Sequence, residues 1–224
     1  MALAEAVVQP GVHVASTLDQ RIDALATTVR ELAARRPRPR LERLSGMHNP
    51  WGHAAVLANA WRFLDVCEDT AVVDAVAGLI GPDVILWDSE LHLAAETYLR
   101  FVRAGREGRY WPATPLAGAV ALLAFGDAQP RPVCLPLAAL ASADLSWIDA
   151  AEPLYVIRYM PATSLFDRDP HAPANRLAME EQPLINYATR PLWLVRGDDR
   201  AGNDFVTGFS PPVPRWAGVK PEER

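Results

Sequence analysis

Two apolar stretches of the sequence carry ionisable residues at alternating positions. Glu90 and His92 lie two residues apart in the stretch 84–93. In the second stretch, 153–160, Arg158 lies inside and Glu152 lies immediately before its first residue. Alternate side chains of a β-strand point to the same face, so we expect the members of each pair to converge. A histidine titrates near neutral pH and can accept or donate a proton. The pattern therefore indicates acid–base chemistry.

His92 is the predicted general base or acid. Glu90 is expected to orient the imidazole or to act as the second catalytic group, and Arg158 to bind a carboxylate or stabilise an enolate. The resemblance described below implies Glu107 as the alternative to Glu90 in this role. The other predicted substrate-binding residues are Glu152, Tyr110, Trp111 and Trp87. The alternative is that these charged residues form salt bridges that fill the protein interior, because a lone histidine on a strand is often structural.

The elements that must position these residues change type along the chain. Helical spacing and stop signals predict helices from Thr17 to the prolines near 37, over 53–66 and over 70–80. Apolar, β-branched stretches predict strands over 84–93, 97–103, 116–125, 133–140, 153–160 and 191–196. Residues 161–190 and 210–224 are predicted loops. Helices followed by strands indicate the α+β class with an antiparallel sheet or barrel.

Composition narrows the class of protein. The 224 residues are enough for one domain, expected over 1–224, with a helical part at 17–82 and a barrel part at 83–205. The net charge of −5 argues against a nucleic-acid surface. The sequence has no apolar run that predicts a membrane span and no secretory signal near its start. With only Cys67 and Cys134 as cysteines, we expect reduced thiols and a cytoplasmic location.

Residues 104–112 form another segment with the composition of a reactive site, since Gly105, Glu107, Tyr110 and Trp111 stand at characteristic spacings. The segment resembles the iron-binding turn of the phytanoyl-CoA dioxygenase family, which is written His-x-Asp-Gly-x-Tyr-Trp-Pro. Gly105 stands at the family's histidine and Glu107 at its aspartate. Because glycine has no side chain to bind iron, the resemblance implies a retained fold and a lost iron chemistry.

Four further segments resemble the same family in their order and spacing. They are a signature at 47–50, a helix-to-strand junction at 75–84, a late core strand at 156–161 and a closing segment at 194–202. The resemblance implies a double-stranded β-helix, a jelly-roll or cupin-like barrel that is shortened here, with the N-terminal helices packed outside. It also implies that the barrel interior contains Asp88, Glu90, His92, Glu107, Glu152 and Arg158.

Other groups of the family's site are also missing. The interval 125–154 contains no histidine, so the family's distal iron ligand is absent. The arginine that binds 2-oxoglutarate falls at Ala151 or Glu152, where a carboxylate would repel the cosubstrate, and the strand lysine falls at Ala94. An iron held by two histidines and one carboxylate needs all three ligands. We therefore expect neither a metal nor a cofactor.

The predicted function is a metal- and 2-oxoglutarate-independent enzyme on a dioxygenase-like scaffold. It is expected to cyclise, isomerise or dehydrate a small apolar metabolite in bacterial specialised metabolism. One alternative is a non-catalytic partner subunit or ligand-binding pseudoenzyme of an oxygenase, and another is an atypical Fe(II)/2-oxoglutarate dioxygenase. The expected partners are a small-molecule substrate and either a second copy of the chain or an oxygenase relative, with no nucleic acid or membrane.

Overall fold

The computed structural model describes residues 6–7, 17–34, 43–126, 130–181 and 190–205. Its α-helices are α1 Thr17–Ala34, α2 Ala60–Cys67, α3 Thr70–Ile80, α4 Glu96–Arg103, α5 Leu137–Leu140 and α6 Pro173–Glu181. Its strands are β1 Ala6–Val7, β2 Arg43–Ser45, β3 Val84–His92, β4 Ala113–Thr114, β5 Ala119–Ala124, β6 Val133–Pro136, β7 Leu154–Pro161, β8 Leu165–Phe166 and β9 Trp193–Arg196. Short 3₁₀ helices lie at His53–Val56 and Glu107–Tyr110.

Seven of these strands form one antiparallel sheet in the order β1-β6-β5-β7-β3, with β2 and β9 both on the far side of β3. Strand β2 pairs with the C-terminal end of β3, and β9 pairs with its N-terminal end. The long strands β3 and β7 are buried along their whole length, which indicates that both faces of the sheet are covered. Strands β4 and β8 pair separately.

Each face of the sheet packs against its own group of helices. On one face, Leu91, Tyr155 and Ile157 share a core with residues of α1, α2 and α3. On the other face, Ile85, Val156 and Met160 share a core with residues of α4 and α5. The chain therefore buries two apolar layers, and the sheet lies between them.

A β-bulge in β3 decides which face receives the ionisable residues. Leu86 lies opposite Tyr159 and Asp88 lies opposite Arg158, so Trp87 is an extra residue in the pairing. One extra residue reverses the alternation that follows it. Trp87 packs into the α4 layer, and Asp88 also bonds to a side chain on that face. Without the bulge, the acidic residues of β3 would face the layer of α1–α3.

The structure confirms a mixed helical and antiparallel-sheet fold, but it does not show the expected closed barrel. Among the described residues the sheet is open, with β1 and β6 at one edge and β2 and β9 at the other. The second sheet has only the two-residue strands β4 and β8. The interval between β5 and β7 contains β6, α5 and turns, so its described residues supply no further strand that could close the sheet.

Three local predictions were also wrong. Residues 137–140, predicted as the end of the strand 133–140, form helix α5. Residues 97–103, predicted as a strand, lie in helix α4, where Tyr98, Leu99 and Val102 form the buried face at helical spacing. Part of the predicted loop 161–190 forms helix α6. Across the described part of the chain, no helix combines the length and the apolar character needed to cross a membrane.

Candidate active site

Ionisable side chains gather on the α4 face of the sheet. Three carboxylates, two arginines and one histidine are buried there, with at most 7% of each residue exposed: Asp88, Glu90, Glu107, Arg158, Arg190 and His92. Burying a charge is costly unless it is paired and hydrogen-bonded. The partners of each group therefore decide whether it serves the fold or remains available to a ligand.

Arg158 lies at the centre of the gathered charges. Its Nε and Nη2 atoms donate to the two carboxylate oxygens of Glu107 at 2.5 and 3.1 Å. Its Nη1 donates to Asp88 Oδ2 at 2.8 Å and lies 2.9 Å from Glu90 Oε2. The bidentate contact with Glu107 is the strongest geometry available to an arginine–carboxylate pair. The single positive charge of this guanidinium thus partly compensates the negative charges of three carboxylates.

Gly105 shapes the turn that delivers Glu107 to Arg158. Gly105 lies two residues after the end of helix α4 and has a φ of 64°, a left-handed conformation that favours glycine. The Gly105 N–H bonds to the Val102 carbonyl at 2.8 Å, and the Arg106 N–H bonds to the Phe101 carbonyl at 3.2 Å. These bonds form a Schellman motif. Glycine is therefore the residue type that this helix end favours at position 105.

Trp111 and Trp87 enclose the Glu107–Arg158 pair. The indole N–H of Trp111 donates to Glu107 Oε1 at 3.3 Å. The Trp87 ring lies 6.0 Å from the Arg158 guanidinium and 5.1 Å from the Trp111 ring. Both tryptophans are almost completely buried. This end of the charged group, which we call the closed part, consists of Asp88, Glu107, Arg158 and Arg190 with their tryptophans.

Asp88 and Glu90 differ in their electrostatic surroundings. Burial raises the pKa of Asp88, although the adjacent Arg190, with which it forms an ion pair, opposes the rise. Burial also acts to raise the pKa of Glu90, but Arg158 and Arg43 outweigh it and hold this pKa well below its usual range. Arg43 Nε and the Ser45 hydroxyl donate to Glu90 Oε1 at 2.9 and 3.1 Å. Glu90 is therefore an ionised carboxylate at neutral pH.

A pocket of about 300 Å³ opens between α4 and the paired strands β2 and β3. Its volume is at the lower end of the range for small-molecule sites. The lining combines three guanidinium groups, one carboxylate, one imidazole and several apolar or hydroxyl-bearing side chains: Arg43, Glu90, His92, Thr97, Tyr98, Arg100, Phe101, Ala104 and Arg106.

His92 and Tyr98 are the polar residues of this pocket that lack hydrogen bonds. Neither ring nitrogen of His92 nor the hydroxyl of Tyr98 has a hydrogen-bond partner among the described residues. The His92 Nε2 lies 3.5 Å from Glu90 Oε2. The centres of the His92 and Tyr98 rings are 5.3 Å apart. The exposed fractions are 3% for His92 and 0% for Tyr98. We call His92 and Tyr98, together with the neighbouring Glu90, the open part, since all three residues line the pocket.

The structure separates the residues that the sequence grouped together. His92 and Glu90 line the pocket, whereas Glu107 and Arg158 lie in the closed part. Tyr110 packs beside two residues of the pocket wall, with its ring 4.8 Å from the Phe101 ring and 5.9 Å from the Arg43 guanidinium.

Glu152 does not join either part. It is half-buried in the turn before β7, where its carbonyl accepts a hydrogen bond from the Ala95 N–H at 2.8 Å. The prediction that it shares a face with Arg158 was wrong, because β7 begins at Leu154 and the alternation of side chains does not extend to residue 152.

Three residues of the site were missed from the sequence. Tyr98 was assigned to a strand, although the helical spacing of Tyr98, Leu99 and Val102 was a signal that could have identified α4. Arg43 follows a proline-rich stretch, and Arg190 follows a stretch with the composition of a loop. Neither stretch has a periodicity that predicts burial of Arg43 beside Glu90 or of Arg190 beside Asp88.

The residues at the family's iron-binding turn do not fit an iron ion. Gly105 supplies no ligand, and both oxygens of Glu107 are hydrogen-bonded to Arg158. Within the described ranges, no group of three or more histidine, cysteine, aspartate or glutamate side chains is arranged to hold a metal.

Comparisons with known proteins give only distant likenesses. No family model and no curated protein matches the chain. Among solved structures, CytC3 is 15% identical with a TM-score of 0.46, covering 90% of this chain and 86% of that chain. The non-heme monooxygenase ThoJ, in its apo form, is 13% identical with a TM-score of 0.39, covering 87% and 82%. Its nickel complex is 14% identical with a TM-score of 0.37, covering 88% and 82%. Scores below 0.5 establish neither a family nor an activity, so the family remains a resemblance.

Proposed function

We propose that the chain is an enzyme that uses acid–base chemistry without a metal or 2-oxoglutarate. Its reaction is an isomerisation, cyclisation or dehydration of a small metabolite, and His92 is the group that moves the proton. The observation that carries this proposal is the environment of His92: a buried imidazole in a pocket wall, with its Nε2 3.5 Å from an ionised carboxylate and its Nδ1 without a hydrogen-bond partner among the described residues.

Glu90 supports a proton transfer by His92. A nearby carboxylate stabilises the imidazolium that forms when the ring accepts a proton. Glu90 itself is fixed by Arg43, Ser45 and Arg158, so it needs no rearrangement during the reaction. Such preorganised charges are effective in a site that excludes water.

Glu107 and Arg158 take a supporting role in this proposal, not the catalytic and substrate-binding roles expected from the sequence. Their hydrogen-bonding groups are used in contacts with one another and with Asp88. Opening the Glu107–Arg158 pair for a substrate would leave buried charges without partners, at a cost of several kcal/mol. We infer that this pair holds β7 against the turn that follows α4.

An assay that requires no knowledge of the substrate tests the proposal. Purified protein is incubated in D₂O with a small-molecule extract of the source cells, and mass spectrometry identifies metabolites that change in mass or gain deuterium. We expect the wild type to alter at least one metabolite and His92→Gln to lose that change. An alteration that persists at the wild-type rate in folded His92→Gln would contradict the proposal.

A second candidate, a non-catalytic subunit, is favoured by an exposed aromatic surface. Trp51 and Trp61 are 51% and 54% exposed, and the Trp51 ring stacks 6.2 Å from that of Trp193. Exposed apolar patches often mark interfaces. Light scattering after gel filtration tests self-association through this surface: we expect a dimer for the wild type and a monomer for Trp51→Ser. A monomeric wild type at all concentrations would contradict it.

A further inference from the structure

We propose that the substrate is a small carbonyl compound and that Tyr98 is a second catalytic residue, whose hydroxyl donates a hydrogen bond to the carbonyl oxygen. This inference rests on the proposed acid–base function, because it names the substrate class of the same pocket. It assigns the role of enolate stabiliser, which the sequence suggested for Arg158, to a residue that the sequence analysis did not select.

Helix α4 places Tyr98 beside His92. The helix buries Tyr98, Leu99 and Val102 on one face, and Tyr98 is the member of that face that lines the pocket. Its ring packs 6.4 Å from Phe101 and 5.3 Å from His92. The Tyr98 side chain is thus held from two sides, which limits the positions available to its hydroxyl.

The Tyr98 hydroxyl has a hydrogen-bonding capacity that the described residues leave unused. It is completely buried and has no hydrogen-bond partner among them. An unsatisfied buried hydroxyl costs about 1–3 kcal/mol, and such groups call for a specific explanation. Trp87 Nε1 and His48 Nε2 also lack partners, but neither lines this pocket. His92 and Tyr98, which together carry three such atoms, both line one cavity.

Tyr98 is suited to donate a hydrogen bond, not to accept a proton. Burial, followed by the nearby charge of Glu107, raises the pKa of its phenol well above the usual value. The hydroxyl therefore keeps its proton at neutral pH. A neutral, buried donor stabilises an oxygen that gains negative charge during a reaction.

A donor beside a base selects a carbon acid next to a carbonyl. His92 removes a proton from the carbon adjacent to the carbonyl, and the electrons of that C–H bond form the carbon–carbon double bond of an enolate. The carbonyl electrons move to the oxygen, where the Tyr98 hydroxyl stabilises the charge. The imidazolium of His92 then returns the proton to the same carbon or, where a neighbouring carbon–carbon double bond is conjugated with the enolate, to the far end of that conjugated system. The second outcome is an isomerisation, and the step needs no oxidant or other reactant.

Proton exchange into 2-tetralone, a ketone with acidic C–H groups beside its carbonyl, tests the inference. The exchange rate in D₂O is followed by ¹H NMR for the wild type, Tyr98→Phe, His92→Gln and Tyr155→Phe. Tyr155 lies on the opposite face of the sheet, so Tyr155→Phe controls for loss of a buried hydroxyl. In parallel, fluorescence titration measures the affinity for 2-naphthol, which resembles the enol of the probe.

We expect the wild type to accelerate exchange, Tyr98→Phe to slow it about 100-fold and weaken 2-naphthol binding about 10-fold, and Tyr155→Phe to change neither. Wild-type exchange in Tyr98→Phe, with exchange lost in His92→Gln, would overturn the role of Tyr98 and leave the acid–base function standing. Undiminished exchange in His92→Gln would instead count against the acid–base function. A wild type that neither exchanges the ketone nor binds 2-naphthol would overturn the carbonyl assignment.

Discussion

The closed part and the open part lie on the same face of one sheet, yet they differ in how many of their polar atoms are hydrogen-bonded. In the closed part, Arg158 contacts three carboxylates, and two of its nitrogens donate hydrogen bonds to Glu107. In the open part, His92 and Tyr98 line a pocket with no hydrogen bond to the described residues. Burial is therefore the same in the two parts, and we base the supporting role proposed for Arg158 and Glu107 on their pairing with one another and the ligand-binding role proposed for His92 and Tyr98 on the pocket that they line.

The largest expected effect is the loss of Arg158. Arg158→Met removes the common partner of Asp88, Glu90 and Glu107 and leaves buried negative charge uncompensated. We expect the free energy of unfolding to fall by about 3–5 kcal/mol, measured by urea denaturation. Arg100→Gln, which removes an arginine that is mostly exposed, is the matched control and should change stability by less than about 0.5 kcal/mol. A loss below about 1 kcal/mol for Arg158→Met would remove the basis for the closed part.

Glu107→Gln should have a smaller effect of the same sign. The amide keeps the shape of the side chain but replaces the bidentate ion pair with Arg158 by at most one hydrogen bond from the guanidinium to the amide oxygen. We expect a loss of about 1–3 kcal/mol in the free energy of unfolding, measured by the same denaturation. Equal stability of this variant and the wild type would mean that the pair contributes little, and that Glu107 is available for another role.

His48 provides a comparison on the opposite face of the sheet. Its Nδ1 lies 2.8 Å from the Ser89 hydroxyl oxygen, and burial, together with Arg190, lowers its pKa to about 3. As the pH falls below about 6.5, the unfolded chain binds a proton that the folded chain refuses. The contribution to stability is therefore complete above that pH and falls by about 1.4 kcal/mol per pH unit toward pH 3.

The difference between the wild type and His48→Asn isolates this contribution from those of the other titrating groups. The variant keeps a polar atom near the position of Nδ1 but cannot titrate. Denaturation at pH 7, 6, 5 and 4 should show a shallower decline for the variant than for the wild type. Parallel pH profiles would contradict the assignment of a neutral, buried His48.

Tyr98→Phe should have the smallest effect on stability, and its sign should differ from that of the closed-part variants. The substitution removes a buried hydroxyl that has no hydrogen bond to the described residues. We expect a change between zero and a gain of about 1 kcal/mol in the free energy of unfolding. Sites that bind ligands often sacrifice stability in this way. A loss above 1 kcal/mol would show that the hydroxyl is bonded within the protein.

The sequence predicted some of these contacts because a local rule sufficed. Counting alternate residues from Ala94 back to Asp88 stays on one side of the bulge at Trp87, so the shared face of Glu90 and His92 was assigned correctly. The alternation along β7 likewise predicted that Arg158 shares a face with Glu90, and the two side chains are in contact. The same count failed at Glu152, because the strand starts two residues later.

Features that depend on contacts between distant parts of the chain could not be predicted from local sequence patterns. The open sheet results from which strands become neighbours, and no local pattern specifies that β2 and β9 share one edge of β3. The contact of Arg190 with Asp88 joins residues about a hundred positions apart. Tyr98 was missed because a short apolar stretch is compatible with a strand or a helix, and here the packing of α4 on the sheet selects the helix.

The most direct test of the division between the two parts compares His92→Gln with Glu107→Gln in the D₂O metabolite assay, at a temperature where both variants are folded. The account predicts that His92→Gln abolishes the alteration of the metabolite. It also predicts that Glu107→Gln keeps the rate within about threefold of the wild type once the folded fraction is taken into account. Retained activity in His92→Gln, with activity lost in Glu107→Gln, would contradict the account.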